Sequence, residues 1–315
     1  MFYIATARIY IYNPLNMPEL PEVTTTVNGL NEVLPHLSIK DVWSDYYVKT
    51  ANKRTDNIKN KKYFDKFKKE LIGEKFKSAE RRGKNVLIHF TNNKTVLIHM
   101  KMTGHLLYGK YEWNGKKWKS DAPLLSDSFN QFVHLIFNLS NGKSLAFSDM
   151  RKFAKVIMFE TDKKESHIDL VGLGPEPLDN LKEKTLKQQL LKKPNWDIKT
   201  VLMDQSVIAG VGNIYSDEIL WTANVHPERT PKSLTKKEIS LIWKAMIDIL
   251  EHSIAMGGDS MSDYRNIYGE KGKFQNAHKV YRRTKEKCLK KGCKGIIQRK
   301  IIGGRSTHFC NTHQK

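Results

Sequence analysis

Three cysteines and one histidine near the end of the chain have the residue types and spacing of a metal site. The segment reads CLKKGC, then sixteen residues, then CNTH, and it supplies Cys288, Cys293, Cys310 and His313. Two close pairs on separate turns can complete a tetrahedron around Zn²⁺, with no open position for catalysis. We therefore expect one structural zinc per chain. The alternative is three reduced thiols and a surface histidine.

The segment between the two pairs is basic and contains two adjacent glycines. It reads RKIIGGRSTHF, which is typical of a β-hairpin with a tight turn. Arg305 follows this turn, where its guanidinium could bind a phosphate. The alternative is an arginine that contacts only water.

The composition predicts a polyanionic partner. The chain has 54 Lys and Arg against 33 Asp and Glu, a formal net charge of +21. Nucleic acid is the commonest partner for such an excess, although a lysine-rich, solvated surface would give the same count. An odd number of cysteines argues against a secreted disulfide scaffold. The sequence contains no run of eighteen apolar residues, so no membrane helix is predicted. Residues 1–16 lack the pattern of a signal peptide.

The elements that would position these residues follow from hydrophobic periodicity. One helix face is predicted from Glu22 onward by Val23, Val27, Leu30, Leu34 and Leu37. The stretch 48–70 is dense in lysine and predicts a loop or an exposed helix. Strands are predicted at 86–90, 95–100, 132–139, 144–147 and 155–160.

The second half of the chain has a helical pattern. LGPEPLD at 173–179 combines glycine and two prolines and is the best candidate linker. Thr235 and Glu238 predict a capping box at the start of a long helix. The Gly-Gly pair at 257–258 predicts the end of that helix.

Nine segments together resemble the bacterial formamidopyrimidine-DNA glycosylases. They are MPELPEV, RRGKNVLIH, HMKMTGHL, DMRKF, GLGPEPL, LMDQSVIAGVGNIYSDEIL, VHPER, DYRNIYGEKGKFQ and GGRSTHFC. They follow one another in order from Met17 to the last residues, so the resemblance covers nearly the whole chain. It implies an α+β multidomain fold: an N-terminal β-sandwich with flanking helices, a helix–two-turn–helix domain and a C-terminal zinc-finger β-hairpin.

The resemblance also implies domain boundaries. Residues 1–16 would be a leader that is absent from the mature enzyme. A catalytic sandwich over 17–165 would be followed by a linker at 166–180. The DNA-binding helical domain would then span 181–279, and the zinc-finger hairpin 280–315.

The implied activity is that of a bifunctional DNA glycosylase and abasic-site lyase. It would excise oxidised purines, chiefly 8-oxoguanine and formamidopyrimidines, from duplex DNA by a Schiff base and β,δ-elimination. Leu20 favours this branch, because the sister endonuclease VIII group usually has glycine there. Two alternatives are an oxidised-pyrimidine glycosylase and a non-catalytic, zinc-containing DNA-binding relative. The enzyme would act as a monomer in the bacterial cytoplasm, at the nucleoid, without contact with membrane.

The catalytic residues follow from the resemblance, residue by residue. Pro18 matches the N-terminal proline whose amine attacks the sugar, Glu19 the acid/base, Lys84 an elimination-step lysine and Arg305 a phosphate-binding arginine. An internal proline cannot act in this way, because its nitrogen is a tertiary amide. We therefore expect translation from Met17 or removal of residues 1–16. The alternative is a true extension on an inactive relative.

The resemblance assigns further residues to DNA. Met102, Arg151 and Phe153 match the wedge that fills the gap left by an extruded base. Asn213 matches a phosphate contact of the two-turn motif, and Lys199 and His134 match further DNA contacts. Taken individually, Met102, Phe153 and His134 look like core residues. The segment 257–275 resembles the loop over the flipped base and predicts a mobile lid.

The chain departs from the family pattern at two places. The usual zinc motif has two Cys-x-x-Cys pairs, whereas here the first gap is wider and His313 is the last ligand. Met150 replaces the usual proline before Arg151.

Overall fold

Antiparallel strands dominate the first half of the chain. The computed structural model describes residues 17–47, 57–179, 181–261 and 263–315. The strands of this half are β1 (Ile39–Ser44), β2 (Phe76–Arg82), β3 (Asn85–Phe90), β4 (Lys94–His99), β5 (His105–Gly109), β6 (Glu112–Trp113), β7 (Trp118–Lys119), β8 (Val133–Leu139), β9 (Ser144–Ser148) and β10 (Lys155–Glu160).

Two four-stranded sheets form a sandwich. One sheet has the order β1-β8-β9-β5 and the other β10-β4-β3-β2. Side chains from both sheets share one buried cluster, including Phe137 and Phe147 from the first sheet and Val86, Ile98 and Val156 from the second. Burial of these apolar faces against each other accounts for the layered arrangement.

Two helices flank the sandwich. Helix α1 (Leu20–Val33) contacts β2, and its Val23, Val27 and Leu30 enter the sandwich core. Helix α2 (Lys61–Leu71) is dense in lysine yet buries Phe64 and Phe67. An apolar stripe on a basic helix is sufficient to hold it against β1.

The second half of the described chain is helical and ends in a hairpin. Its helices are α3 (Glu183–Leu190), α4 (Ile198–Met203), α5 (Asn213–Thr222) and α6 (Lys236–Ala255), and its strands are β11 (Gln298–Ile302) and β12 (Arg305–Phe309). Short 3-10 helices lie at Ser128–Asn130, Thr161–Ser166, Pro231–Ser233 and Phe274–Ala277. None of the described helices is both long enough and apolar enough to cross a bilayer.

The predicted α+β fold and most of its predicted elements are confirmed. All five predicted strands are present within about a residue of the expected bounds. The Thr235–Glu238 capping box begins α6, and Gly257 follows its end with φ +77°. Helix α1 ends at Val33, so Leu34 and Leu37 lie beyond it.

Other expectations lie partly or wholly outside the described residues. The leader at 1–16 is outside them, as are residues 48–56 of the lysine-dense stretch. The rest of that stretch contains α2. Strands β1 and β2 were not predicted, because both are sheet edges with several polar or charged residues and little apolar alternation.

Candidate active site

Two carboxylates lie at the start of α1. The backbone N–H of Glu19 donates to Oε2 of Glu22 at 2.8 Å. Oε1 of Glu19 accepts from the backbone N–H of Ile214 at 3.1 Å, whereas its Oε2 has no hydrogen-bond partner among the described residues. Burial raises the pKa of Glu19, against the opposing charge of Lys84. The site therefore contains a buried carboxyl group with a raised pKa and one oxygen that accepts no hydrogen bond from the described residues.

Lys84 approaches this carboxyl from the turn between β2 and β3. It is 7% exposed. Glu176 shapes the turn: its carboxylate accepts from the backbone N–H of Gly83 at 2.6 Å and from Arg82 at 2.9 Å, and it also pairs with Arg81. Burial lowers the pKa of Lys84, although Glu19 opposes the shift. A desolvated ammonium of this kind gives up its proton more readily than a solvated one.

Gly212 closes the site from the side of α5. A Cβ atom at this position would lie 2.4 Å from Cδ of Glu19 and 2.6 Å from Nζ of Lys84. A side chain there would have to displace both groups, so glycine lets the start of α5 approach them closely. The contact also shows that Glu19 and Lys84 converge on one point, although they are 65 residues apart in the sequence.

Pro18 immediately precedes Glu19 and is buried. Leu20, two residues further on, donates its backbone N–H to the carbonyl of Gly210 at 3.0 Å. The predicted nucleophile, acid and lysine therefore lie at one place. In the full chain the nitrogen of Pro18 is acylated by Met17, so it is an amide here.

Glu22 is held by a second group of contacts that the sequence did not reveal. Its Oε1 accepts from the hydroxyl of Tyr215 at 2.5 Å and from the backbone N–H of Asp259 at 2.7 Å. Burial raises the pKa of Glu22 to about 8. Tyr215 follows Asn213 by two positions in GVGNIY, which is the only sequence signal that could have indicated it.

The predicted lid also reaches the N-terminal half. The hydroxyl of Tyr264 donates to the backbone carbonyl of Glu22 at 2.9 Å. The carbonyl of Ile267 accepts from the N–H of Tyr108 at 2.7 Å, and the Ile267 side chain enters the sandwich core. The segment 257–275 thus passes beside the carboxylate pair.

Lys199, which was predicted to contact DNA, is fully buried in this structure. Its side chain is 0% exposed, and its ammonium donates to the Asn213 carbonyl at 2.8 Å, to Ser216 at 2.8 Å and to Asp217 at 2.6 Å. All three donors are used inside the motif, so no free donor remains for a phosphate. Asn213 itself lies at the first position of α5, beside the positive end of the helix dipole.

The three residues predicted to form the wedge come together on two loops of the sandwich. The guanidinium of Arg151 lies 3.2 Å from the sulfur of Met102 and 4.4 Å from the ring centre of Phe153. Phe153 is 48% exposed, so it is not the core residue that its isolated sequence context would suggest. His134 lies nearby on β8, where Nδ1 is 2.7 Å from Asp45, and Asp45 also pairs with Lys152.

The four predicted metal ligands converge near the C-terminus. Their ligand atoms all lie within 4.8 Å of one another. The Cys293 and Cys310 sulfurs are 3.7 Å apart, and the Cys288 sulfur is 3.4 Å from Nδ1 of His313. Two thiolates on one tetrahedral ion, each at about 2.3 Å, would be separated by a similar distance. Nε2 of His313 lies 3.2 Å from the carbonyl of Trp221, which fixes the ring with Nδ1 toward the cluster. The widened first gap therefore still allows a metal-binding arrangement.

The hairpin between the two ligand pairs has its turn at Gly303 and Gly304, both with positive φ. Arg305 is exposed directly after this turn. Its charge contributes to lowering the pKa of Lys84 and of Lys199, after the larger effect of burial. The hairpin thus presents a cation close to the carboxylate site.

Comparison with known proteins agrees with this geometry. The profile of the formamidopyrimidine-DNA glycosylase N-terminal domain matches residues 17–156, and that of the H2TH domain matches residues 173–265. The formamidopyrimidine-DNA glycosylase of Desulforamulus reducens is 36% identical over 300 residues, covering 95% of this chain and 99% of the relative. The enzyme of Halalkalibacterium halodurans is 35% identical, covering 95% of this chain and 100% of the relative.

Solved structures of the same family resemble this chain over nearly its whole length. A Lactococcus lactis Fpg in complex with N7-benzyl-Fapy-dG containing DNA superimposes with a TM-score of 0.78 at 31% identity, covering 95% of this chain and 100% of that chain. A complex of the Lactococcus lactis Fpg with abasic site containing DNA matches equally well, with a TM-score of 0.78 at 30% identity, covering 94% of this chain and 99% of that chain. The chain belongs to the formamidopyrimidine-DNA glycosylase family.

Proposed function

We propose that this protein is a bifunctional DNA glycosylase and abasic-site lyase that excises oxidised purines from duplex DNA. One observation carries the proposal: a buried, readily protonated carboxyl, a desolvated lysine and Pro18 meet at the docked start of α1. A module that only binds DNA needs none of these groups buried together. Its partner would be damaged double-stranded DNA, in agreement with the DNA complexes of the related structures.

The reaction begins with the free amine of Pro18. The amine forms a bond to the sugar C1′, and the C1′–N bond to the base breaks, its electron pair leaving with the base. The ring then opens to an iminium ion: the Pro18 nitrogen loses its proton, the C1′–O4′ bond breaks, and the ring oxygen takes the bonding pair and a proton. Glu19, whose pKa is raised by burial, would carry out this proton transfer. Lys84 then assists β-elimination of the 3′ phosphate, and Arg305 stabilises the phosphate that leaves in the δ-elimination.

This mechanism requires a chain that begins at Pro18. An amide nitrogen has its lone pair delocalised into the carbonyl and cannot attack C1′. We therefore propose that the active enzyme is translated from Met17, which is then removed, or that residues 1–16 are cleaved off.

The DNA-binding surface would be assembled from three regions. Met102, Arg151 and Phe153 would fill the gap left by the extruded base. His134 would contact the backbone beside this wedge, and the first turn of α5 at Asn213 would bind a phosphate through its backbone N–H groups. We assign Lys199 a positioning role within that turn, because its donors are fully used there.

The cysteine and histidine cluster would hold one structural zinc per chain. Cys288, Cys293, Cys310 and His313 supply four ligands, so no position remains open for a water or a substrate. The zinc would fix the hairpin that carries Arg305. The proposed domains are the sandwich over 17–165, the helical domain over 181–279 and the hairpin over 280–315, with a linker at 166–180. The enzyme would act as a monomer in the bacterial cytoplasm.

The test is a single-turnover assay on duplexes that differ only in the lesion. We expect release of 8-oxoguanine and formamidopyrimidine, with both flanking phosphates left on the cleaved ends. Glu19→Gln should lower excision by about a hundredfold or more, the usual range for loss of a general acid. Preferential release of an oxidised pyrimidine would support the endonuclease VIII alternative. Tight binding without release of any base would support the non-catalytic alternative.

A further inference from the structure

A single buried carboxylate joins the two loops that carry the proposed wedge. Asp149 is 0% exposed and follows β9 directly. Its Oδ1 accepts from the hydroxyl of Thr103 at 2.5 Å, and its Oδ2 accepts from the backbone N–H of Ala154 at 2.9 Å. Thr103 follows Met102 in the sequence, and Ala154 follows Phe153. One side chain thus bonds to the immediate neighbours of two wedge residues.

The third proposed wedge residue, Arg151, belongs to the same hydrogen-bond network. The backbone N–H of Arg151 donates to the hydroxyl oxygen of Thr103 at 3.1 Å, while that hydroxyl donates to Asp149. A threonine hydroxyl can donate one hydrogen bond and accept another at the same time, so Thr103 links the backbone of Arg151 to Asp149. Each of Met102, Arg151 and Phe153 therefore either takes part in this hydrogen-bond network or adjoins a residue that does.

The backbone at the wedge needs such a restraint. Lys101 has φ +57° and Lys152 has φ +51°. Each adjoins a wedge residue, and left-handed backbone is unfavourable for lysine unless surrounding contacts hold it. The N–H of Lys152 donates to the backbone carbonyl of Asp149 at 3.0 Å, and Lys59 donates to the carbonyl of Lys152 at 2.7 Å.

We propose that Asp149 is a positioning residue for base extrusion: it locks the two wedge loops into one rigid unit before DNA binds. The inference rests on the proposed glycosylase function and assigns a role to a residue outside the reacting site. A wedge must hold the duplex open against restacking, which opposes extrusion by a few kcal/mol. Flexible loops would move aside and stabilise the extruded state less. Asp149 should therefore matter for removal of an intact base and much less for a sugar that has already lost its base.

The substitution Asp149→Asn tests this directly. The Asp149 carboxylate accepts from Thr103, Ala154 and the hydroxyl of Tyr46. An amide nitrogen presents donors where the carboxylate presents acceptors, so asparagine cannot accept from all three. On an 8-oxoguanine duplex, we expect single-turnover excision to fall about tenfold or more, corresponding to partial loss of the extrusion energy. On the same duplex with a preformed abasic site, incision should fall less than about threefold, since no base must be extracted. Fluorescence of 2-aminopurine placed beside the lesion should show weaker unstacking.

Two further variants control for folding. Thr103→Val removes the relay without placing an uncompensated amide in the core, and it should reproduce the difference between the two substrates. The hydroxyl of Tyr46 donates to the same carboxylate at 2.8 Å but lies on neither of the segments that carry the three proposed wedge residues. Tyr46→Phe therefore removes a matched hydrogen bond, and both rates should stay within about twofold of wild type.

The outcomes separate the two proposals. Equal losses on both duplexes, or normal excision by both Asp149→Asn and Thr103→Val, would overturn the positioning role. Wild-type protein that starts at Pro18 and releases no base from any lesion would instead overturn the proposed function, and this inference with it.

Discussion

At the scale of single residues, burial determines the chemistry of the site. Glu19 and Glu22 are each 2% exposed and share one corner of the molecule with Lys84. Desolvation raises the pKa of both carboxyls and lowers that of the lysine. Shifts in these directions suit groups that exchange protons near neutral pH.

The raised pKa of Glu22 predicts a pH-dependent stability. Below about pH 4.5 the carboxyl is protonated in both the folded and unfolded states, so it contributes no pH dependence. Between this value and about 8 the unfolded state loses its proton first, so the free energy of unfolding falls as pH rises. Glu22→Gln removes this titration. Thermal melts should therefore show that, as pH rises between these values, the free energy of unfolding of the variant increases relative to that of wild type by up to roughly 5 kcal/mol. A constant difference between the two proteins across this range would contradict the burial argument.

The sequence predicted the residues of this site better than their surroundings. Pro18, Glu19 and Lys84 stand in recognisable motifs, and the structure brings them together. Lys199 stands in a motif too, yet its ammonium is turned inward onto Asp217, and no local pattern distinguishes a buried lysine from an exposed one. Tyr215 and Asp149 are defined by contacts with residues at least 100 positions away or on another loop, which a linear pattern does not record.

At the scale of elements, the site depends on how closely α5 approaches α1. The carbonyl of Gly210, which has φ +88°, accepts from Leu20, and Gly212 touches both Glu19 and Lys84. The periodicity of α1 and the capping box of α6 could be read from sequence because they are local. The docking of α5 on the start of α1 could not, because it joins residues 195 positions apart.

A methyl group at Gly212 should therefore separate the proposed catalytic groups Glu19 and Lys84. Gly212→Ala is expected to lower lesion excision by about a hundredfold, because its Cβ must displace Glu19 and Lys84 by around an ångström. Gly172→Ala is the matched control, since a Cβ there meets no atom within 4 Å. Circular dichroism should show both variants folded. Full activity of Gly212→Ala would show that the site is looser than the contacts indicate.

The folding of the C-terminal hairpin should depend on bound metal. Strand β11 buries only Ile302, and the four ligand residues flank the hairpin at its two ends. We expect elemental analysis to find one zinc per chain, and Cys310→Ser to lose most of it. Proteolysis should then cut the hairpin of this variant while the sandwich survives. A metal-free protein with a protected hairpin would contradict the structural role.

At the scale of the whole molecule, the formal net charge of +21 should make DNA affinity strongly salt-dependent. The logarithm of the association constant should fall by about 0.9 per log unit of salt for each phosphate neutralised, and Arg305→Ala should reduce the slope by about one contact. Lys300 lies on the same hairpin but is already paired with Glu228, so Lys300→Ala should change the slope less. Equal slopes for wild type and Arg305→Ala would remove Arg305 from the contact surface.

The central claim, that Pro18 is the nucleophile, has one direct test. Protein beginning at Pro18 and the full chain from Met1 would each be mixed with an 8-oxoguanine duplex and borohydride, and the crosslinked residue located by mass spectrometry. Reduction of the iminium ion should leave a stable adduct on Pro18 of the short form and none on the full chain, whose Pro18 nitrogen is an amide. An adduct on a protein that still carries residues 1–16 would contradict the account and point to a lysine instead.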